Sequence, residues 1–213
     1  MKIQNQQDKV LKVAITGKIR SGKSTVTSIL EEELREINDN IEVVQVGFGD
    51  MLKYFAHDIF LVEYTEEKPR KLYQEFGQAM RHVSLVLNGH ENVWVNLLDF
   101  YTQSLIDERA DDDSILAFII TDLRQPNEFD WCLENGYQTV KVLAPQGARV
   151  ERMKQENDNF SMEDLEHETE THVNNFETTF TVNNDDNMEY LQSQVKKLAL
   201  EIYSNYLDST ENE

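Results

Sequence analysis

The chain has 213 residues, with 40 Asp and Glu against 20 Lys and Arg, a formal charge of −20, and a single cysteine. A chain of this size buries roughly 70% of the surface its unfolded form exposes, enough for one sizeable core. Cys132 cannot form an internal disulfide, the opening MKIQNQQDKV lacks the apolar core of a secretory signal, and the longest fully apolar run, 115–120, is far shorter than a spanning helix needs. The expectation is a cytoplasmic protein with no membrane and no nucleic-acid polymer among its partners, because so negative a field repels phosphodiester backbones.

Residues 1–9 read as a flexible tail and 10–213 as a single domain. Val10 to Thr16 is a short β-branched strand that stops at Gly17, and after GKIRSGKS the apolar residues Val26, Ile29, Leu30, Leu34 and Ile37 recur at helical spacing. Ile41 to Phe48 reads as a second strand, and Met51, Leu52, Phe55 and Ile59 as a helix starting near Asp50, a residue type suited to an N-cap. From Thr65 to Arg109 the pattern is helical, with a break at Asn88-Gly89. Ile115 to Thr121 has the unbroken apolarity of a strand covered on both faces and ends at Asp122. A short helix over 129–134, a strand over Tyr137 to Leu143 and a helix over about 147–155 follow. Residues 156–171 hold seven acids and no Lys or Arg; then come a strand over Thr178 to Val182 and an amphipathic helix from Met188. This alternation predicts a three-layer α/β domain around a mainly parallel five-stranded sheet.

The strongest local signal is Gly17-Lys18-Ile19-Arg20-Ser21-Gly22-Lys23-Ser24, which fits G-x-x-x-x-G-K-[ST] between a predicted strand and a predicted helix. At average residue frequencies such a match arises by chance in roughly one chain per hundred of this length, and less often behind a buried strand. In such a loop the backbone wraps a phosphate with its N–H groups turned inward, and the next helix adds the positive end of its dipole. Gly17, Lys18, Arg20, Ser21, Gly22, Lys23, Ser24 and Thr25 are therefore the expected ATP-binding residues, with Lys23 reaching the β- and γ-phosphates and Ser24 ligating Mg²⁺. Asp122, at the end of an apolar strand, is the expected second metal group. Its alternative is a carboxylate capping the next turn, and Asp50 is its rival.

A phosphate loop fixes the donor and leaves the acceptor open. No N-K-x-D element for guanine is present, and the charge suits nucleic-acid translocation poorly, so a compact kinase survives best. Transfer to an acceptor that is itself a phosphate needs little base catalysis. It needs cations that hold two polyanions together and absorb transition-state charge. The candidates are Arg81, Arg124, Arg149 and Arg152; Trp94 and Tyr101, at helical spacing, are either core residues or a surface for stacking a base.

The segments ITGKIRSGKST, FGDMLKYFAHDIF, RKLYQEFGQAMRHV with NVWVNLL, and ITDLRQPNEFDWCLENGYQTVKVLAP resemble the phage-type deoxynucleoside monophosphate kinases, within the nucleoside monophosphate kinase group of phosphate-loop enzymes. The likeness spans most of 10–184. Its most family-like parts are the D-x-R-x-x-N-E run (Asp122, Arg124, Asn127, Glu128) and the G-x-x-x-R of Gly77 and Arg81. The resemblance implies a P-loop kinase fold with a helical monophosphate-binding insert at about 50–110 and a small lid at about 146–172. It implies Mg²⁺- and ATP-dependent transfer to a (deoxy)nucleoside monophosphate. Lys23, Asp122, Arg124, Arg149 and Arg152 would then be catalytic, and Asp50, Arg81, Trp94 and Arg124 would hold the acceptor, Arg81 on its phosphate. The alternatives are a related kinase of the dephospho-coenzyme A or phosphomevalonate type, for which Asp50 would be the base, and a nucleotide-binding regulatory module. Nothing in the sequence decides between a monomer and a homodimer.

Overall fold

The computed structural model describes residues 10–63, 69–109, 112–155 and 168–211. Five strands, β1 (Val10–Gly17), β2 (Ile41–Val46), β3 (Ile115–Leu123), β4 (Gln138–Leu143) and β5 (Phe180–Asn183), form one sheet in the order β2-β3-β1-β4-β5, with every neighbouring pair parallel. The apolar run in β3 is continuous because both faces are covered, yet its side chains still alternate. Ala117 and Ile119 join one core cluster, whereas Leu116, Phe118 and Ile120 join the other.

The first cluster packs under α1 (Lys23–Ile37) and α8 (Met188–Glu211), where Leu30, Leu34, Val195 and Ile202 meet Leu11, Val13 and Ile15 of the central strand. On the opposite face lie α2 (Phe48–Phe60), α4 (Val93–Glu108), α5 (Pro126–Glu134) and α7 (Glu168–Asn175), through Phe48, Leu98, Phe129 and Val173. Helix α3 (Arg70–Asn88) completes a three-helix segment between β2 and β3, and α6 (Gln146–Gln155) follows β4. Among the described residues no helix is long and apolar enough to cross a membrane.

One boundary differs from the sequence reading. Helix α2 begins at Phe48, so Asp50 lies in its first turn and does not cap it. The expected break at Asn88-Gly89 divides α3 from α4; Gly89, with a φ of 77°, closes α3 in the left-handed conformation that a glycine adopts without strain. The acidic run expected at 156–171 falls largely outside the described residues.

The connections prepare a ligand crevice. β1 and β3 are adjacent, and the helices that follow them, α1 and α5, pass to opposite faces of the sheet, so the two loops diverge at the carboxyl edge. Ile202 is fully buried where α8 meets the sheet. Ile202→Ala is expected to cost about 2–5 kcal/mol, read as a lower midpoint of urea unfolding at an unchanged slope.

Candidate functional site

The loop after β1 is defined by where its carbonyl oxygens go. Lys23 Nζ donates to Gly17 O at 2.7 Å and to Lys18 O at 3.1 Å. Arg149 Nη1 donates to Ile19 O at 3.3 Å, and Arg152 Nη1 to Arg20 O at 3.1 Å and Ser21 O at 3.3 Å. Asn184 Nδ2 adds a bond to Ser21 O at 2.8 Å, and the helical amide of Val26 takes Gly22 O at 3.0 Å. Every carbonyl from Gly17 to Gly22 therefore has a protein donor. A loop so held has its acceptor side satisfied from within the protein, which is what a bound anion on the amide side requires.

Local conformation fits this picture. Arg20 has a φ of 58°, a left-handed conformation in a residue with a side chain, and Gly22 has a φ of 97° at the N-terminus of α1. A Cβ on Gly22 would run into the Asn184 amide. The Ser21 hydroxyl is buried and has no hydrogen-bond partner among the described residues. Donor-rich backbone at a helix N-terminus, with carbonyls occupied and a hydroxyl to spare, suits a phosphate chain.

The loop opens onto a cleft of about 570 Å³ that also takes in Thr121 and Arg124 from the end of β3, Arg152 from α6, and Asn184, Met188 and Leu191 from the β5–α8 connection. Among the described residues four cations, Arg20, Lys23, Arg124 and Arg152, line it, and no Asp or Glu does. In a chain of charge −20 this local reversal of sign is the main electrostatic feature of the site. Ser24 and Thr25 line the same cleft. Ser24 could therefore offer its hydroxyl to a Mg²⁺ ion, which in such sites takes its other oxygens from phosphates and water. Among the described residues there is no group of three or more His, Cys, Asp or Glu able to hold a metal by themselves.

The remaining expected residues are placed as follows. Asp122 accepts from the amides of Phe48 at 2.8 Å and Gly49 at 2.9 Å, so both of its oxygens cap α2; the capping alternative is what the structure displays, on a helix more than 70 residues away in sequence. Burial pushes its carboxyl upward, against those two amides. Asp50 pairs with Lys53 at 2.7 Å on the exposed side of α2. Trp94 is 2% exposed, bonds Gly77 O through its ring nitrogen, packs beside Phe76 and, with Phe55, Phe76 and Met80, lines a separate cavity of about 450 Å³. Arg149 and Arg152, expected in a lid, brace the loop from behind, although Arg152 also reaches the cleft.

Arg81 stands on α3, one turn beyond Gly77, where a Cβ would collide with Leu52 of α2. The glycine lets α2 and α3 approach and so fixes where Arg81 points. Its guanidinium is about four-fifths buried and lies 3.9 Å from Glu128 Oε1.

Two contributors were not singled out from the sequence. Asn184 lies at the end of β5, beside Leu143 O. Its only signal was a position just past a strand in a parallel sheet, and the strand order that brings that end next to the phosphate loop is not readable locally. Glu128 was visible only as part of a motif. Its Oε2 accepts from the amides of Arg124 at 3.0 Å and Gln125 at 2.9 Å, which fixes the first turn of α5 and the root of the Arg124 side chain.

No protein-family model and no curated protein matches this sequence. Solved structures resemble it in fold. The shikimate kinase of Bacteroides thetaiotaomicron is 12% identical at a TM-score of 0.48, covering 91% of this chain and 98% of that one. A sugar kinase from a Janibacter species is 13% identical at 0.47, covering 90% and 93%, and TT1252 of Thermus thermophilus is 21% identical at 0.44, covering 90% and 96%. Likenesses this distant carry no argument about chemistry, which rests on the cleft itself.

Burial, with the Asp122 charge behind it, pushes the Glu128 carboxyl up to about 7, against the pull of the two amides and Arg81. The folded chain thus keeps a proton that the unfolded chain releases near the ordinary value of 4.5. Stability from this group is complete below that value and is lost as pH rises to neutrality, by up to about 3 kcal/mol. Glu128→Gln cannot ionise and is expected to flatten this part of the pH dependence between 4.5 and 7, measured by urea unfolding across the range. Gly22→Ala, strained by its φ and opposed by Asn184, is expected to destabilise the fold by about 1 kcal/mol or more and to weaken the thermal shift given by Mg·ATP.

Proposed function

We propose that the protein is a phosphotransferase that takes the γ-phosphoryl group of ATP and passes it to a nucleoside or deoxynucleoside monophosphate. The observation that carries this reading is the gathering of Arg20, Lys23, Arg124 and Arg152 in one cleft around a loop whose carbonyls are all occupied. Such a cleft binds a polyphosphate and also offers cations on more than one side of the transferred group. A simple nucleotide sensor needs only the first.

In this reading the amides of the loop and Lys23 hold the donor phosphates, and Ser24 helps to hold Mg²⁺, which supplies charge neutralisation between the phosphates when bound. Arg124, on the loop after β3, and Arg152, from α6, face the transferred group and stabilise charge that spreads over its oxygens. Arg81 is the acceptor-side cation. Its buried guanidinium has five donors and a single loose carboxylate pair, so an anionic acceptor satisfies it better than the protein does. A monophosphate acceptor brings its own anionic nucleophile and needs no general base. This agrees with Asp50, the candidate base for a hydroxyl acceptor, being tied to Lys53.

The test is ADP release from Mg·ATP with a panel of nucleoside and deoxynucleoside monophosphates. Acceptor-dependent ADP formation is expected, and Lys23→Ala should lower turnover by a factor of about 100 or more while its thermal unfolding stays near that of the parent chain. ADP formation that ignores every acceptor would indicate a regulatory ATPase, and near-normal turnover in Lys23→Ala would exclude the mechanism.

A further inference from the structure

The segment from Asp122 to Glu128 touches all three helices that lie between β2 and β3. Asp122 caps α2 through the amides of Phe48 and Gly49. Asn127 Nδ2 donates to Asn92 Oδ1 at 2.9 Å, at the residue that precedes α4. Glu128 faces Arg81 of α3. The same segment carries Arg124 into the donor cleft. One short stretch of chain therefore sets the frame for both halves of the site.

Within it, Glu128 is built to divide its two oxygens. Oε2 is engaged by two amides of its own helix start, so the carboxylate cannot swing; Oε1 is left toward Arg81 at 3.9 Å, beyond hydrogen-bond length. The side chains are 6% and 20% exposed, which strengthens the attraction relative to water without a direct bond to break. A guanidinium held this way is oriented, yet most of its donors stay available. A tight bidentate pair would instead compete with an incoming anion.

We propose that Glu128 is a positioning residue for acceptor recognition: anchored by the α5 cap, it orients the Arg81 guanidinium and yields it to an anionic phosphate. The inference rests on the reading of Arg81 as the acceptor-side cation. It predicts that the charge of Glu128 matters separately from its capping bonds. Gln at this position keeps an oxygen for both amides and loses the charge, so it separates the two roles.

The experiment compares the parent chain, Glu128→Gln, Arg81→Gln and the double variant at pH 8, where Glu128 is ionised in the parent. The acceptor is the monophosphate that the parent turns over fastest. Glu128→Gln is expected to remain folded and to raise the KM for that acceptor by about tenfold, the size of one charge-assisted contact, with the KM for ATP moving less than twofold. Arg81→Gln should raise it further, and the double variant should be no worse than Arg81→Gln alone, because a positioning residue has nothing left to position. An acceptor KM within twofold of the parent in Glu128→Gln, or fully additive effects in the double variant, would overturn the assignment.

A second readout needs no substrate. Unfolding free energies of the same four chains at pH 8 form a double-mutant cycle, in which the Glu128 and Arg81 substitutions should couple and not add. Should the parent phosphorylate no monophosphate, the functional reading fails while this coupling still judges the Glu128–Arg81 restraint. Fully additive stabilities would end the positioning claim by themselves.

Discussion

The site depends on how the protein disposes of six carbonyl oxygens. A tight loop between a strand and a helix has too few backbone donors to satisfy its own acceptors, and an unsatisfied buried carbonyl costs about as much as a lost hydrogen bond. Here the donors come from four side chains, Lys23, Arg149, Arg152 and Asn184, together with the first bond of α1. Three of those side chains reach the loop from α6 and the β5–α8 connection, so the loop holds its shape only after β4 and β5 have joined the sheet. The anion site is thus a product of the complete fold.

That arrangement also resolves a conflict in the charge balance. A chain with twice as many acids as bases is a poor setting for a polyphosphate, because the summed field is repulsive. The cleft reverses the sign locally by concentrating Arg20, Lys23, Arg124 and Arg152, with no carboxylate among the described residues that line it. The acids near it are directed elsewhere, Asp122 into the first turn of α2 and Glu128 into the first turn of α5. Helix starts carry partial positive charge, so they are the natural place to hold carboxylates away from an anion site.

How much of this could be read from the sequence follows from how local each determinant is. The five strands and the loop after β1 were legible because each is written in a few adjacent residues, a β-branched or unbroken apolar run, or a glycine pattern between strand and helix. The start of α2 was misread for the opposite reason. Asp50 is a suitable cap by type, but Asp122 performs that role from the end of β3, and nothing within α2 announces it. Arg149 and Arg152 were expected in a lid, yet their direction toward the loop after β1 depends on the sheet order β1-β4-β5. Trp94 shows the limit of periodicity, since helical spacing suits a buried residue and a ligand-facing one equally; in the fold its ring packs beside Phe76 and bonds Gly77 O, both on α3.

The phosphate loop and Arg81 are held to different degrees, and the difference has a physical meaning. The loop is fixed by bonds of 2.7–3.3 Å among partly buried partners, so little reorganisation remains for an anion to bring about. Arg81 is held by a 3.9 Å charge pair to Glu128. In the proposed reading a rigid loop accepts any ligand with the right phosphate tail, whereas a loosely held acceptor cation discriminates, because a ligand must provide the contacts that the protein withholds. On that reading, selectivity would reside in the helices between β2 and β3 and in the segment 122–128 that holds them to the sheet.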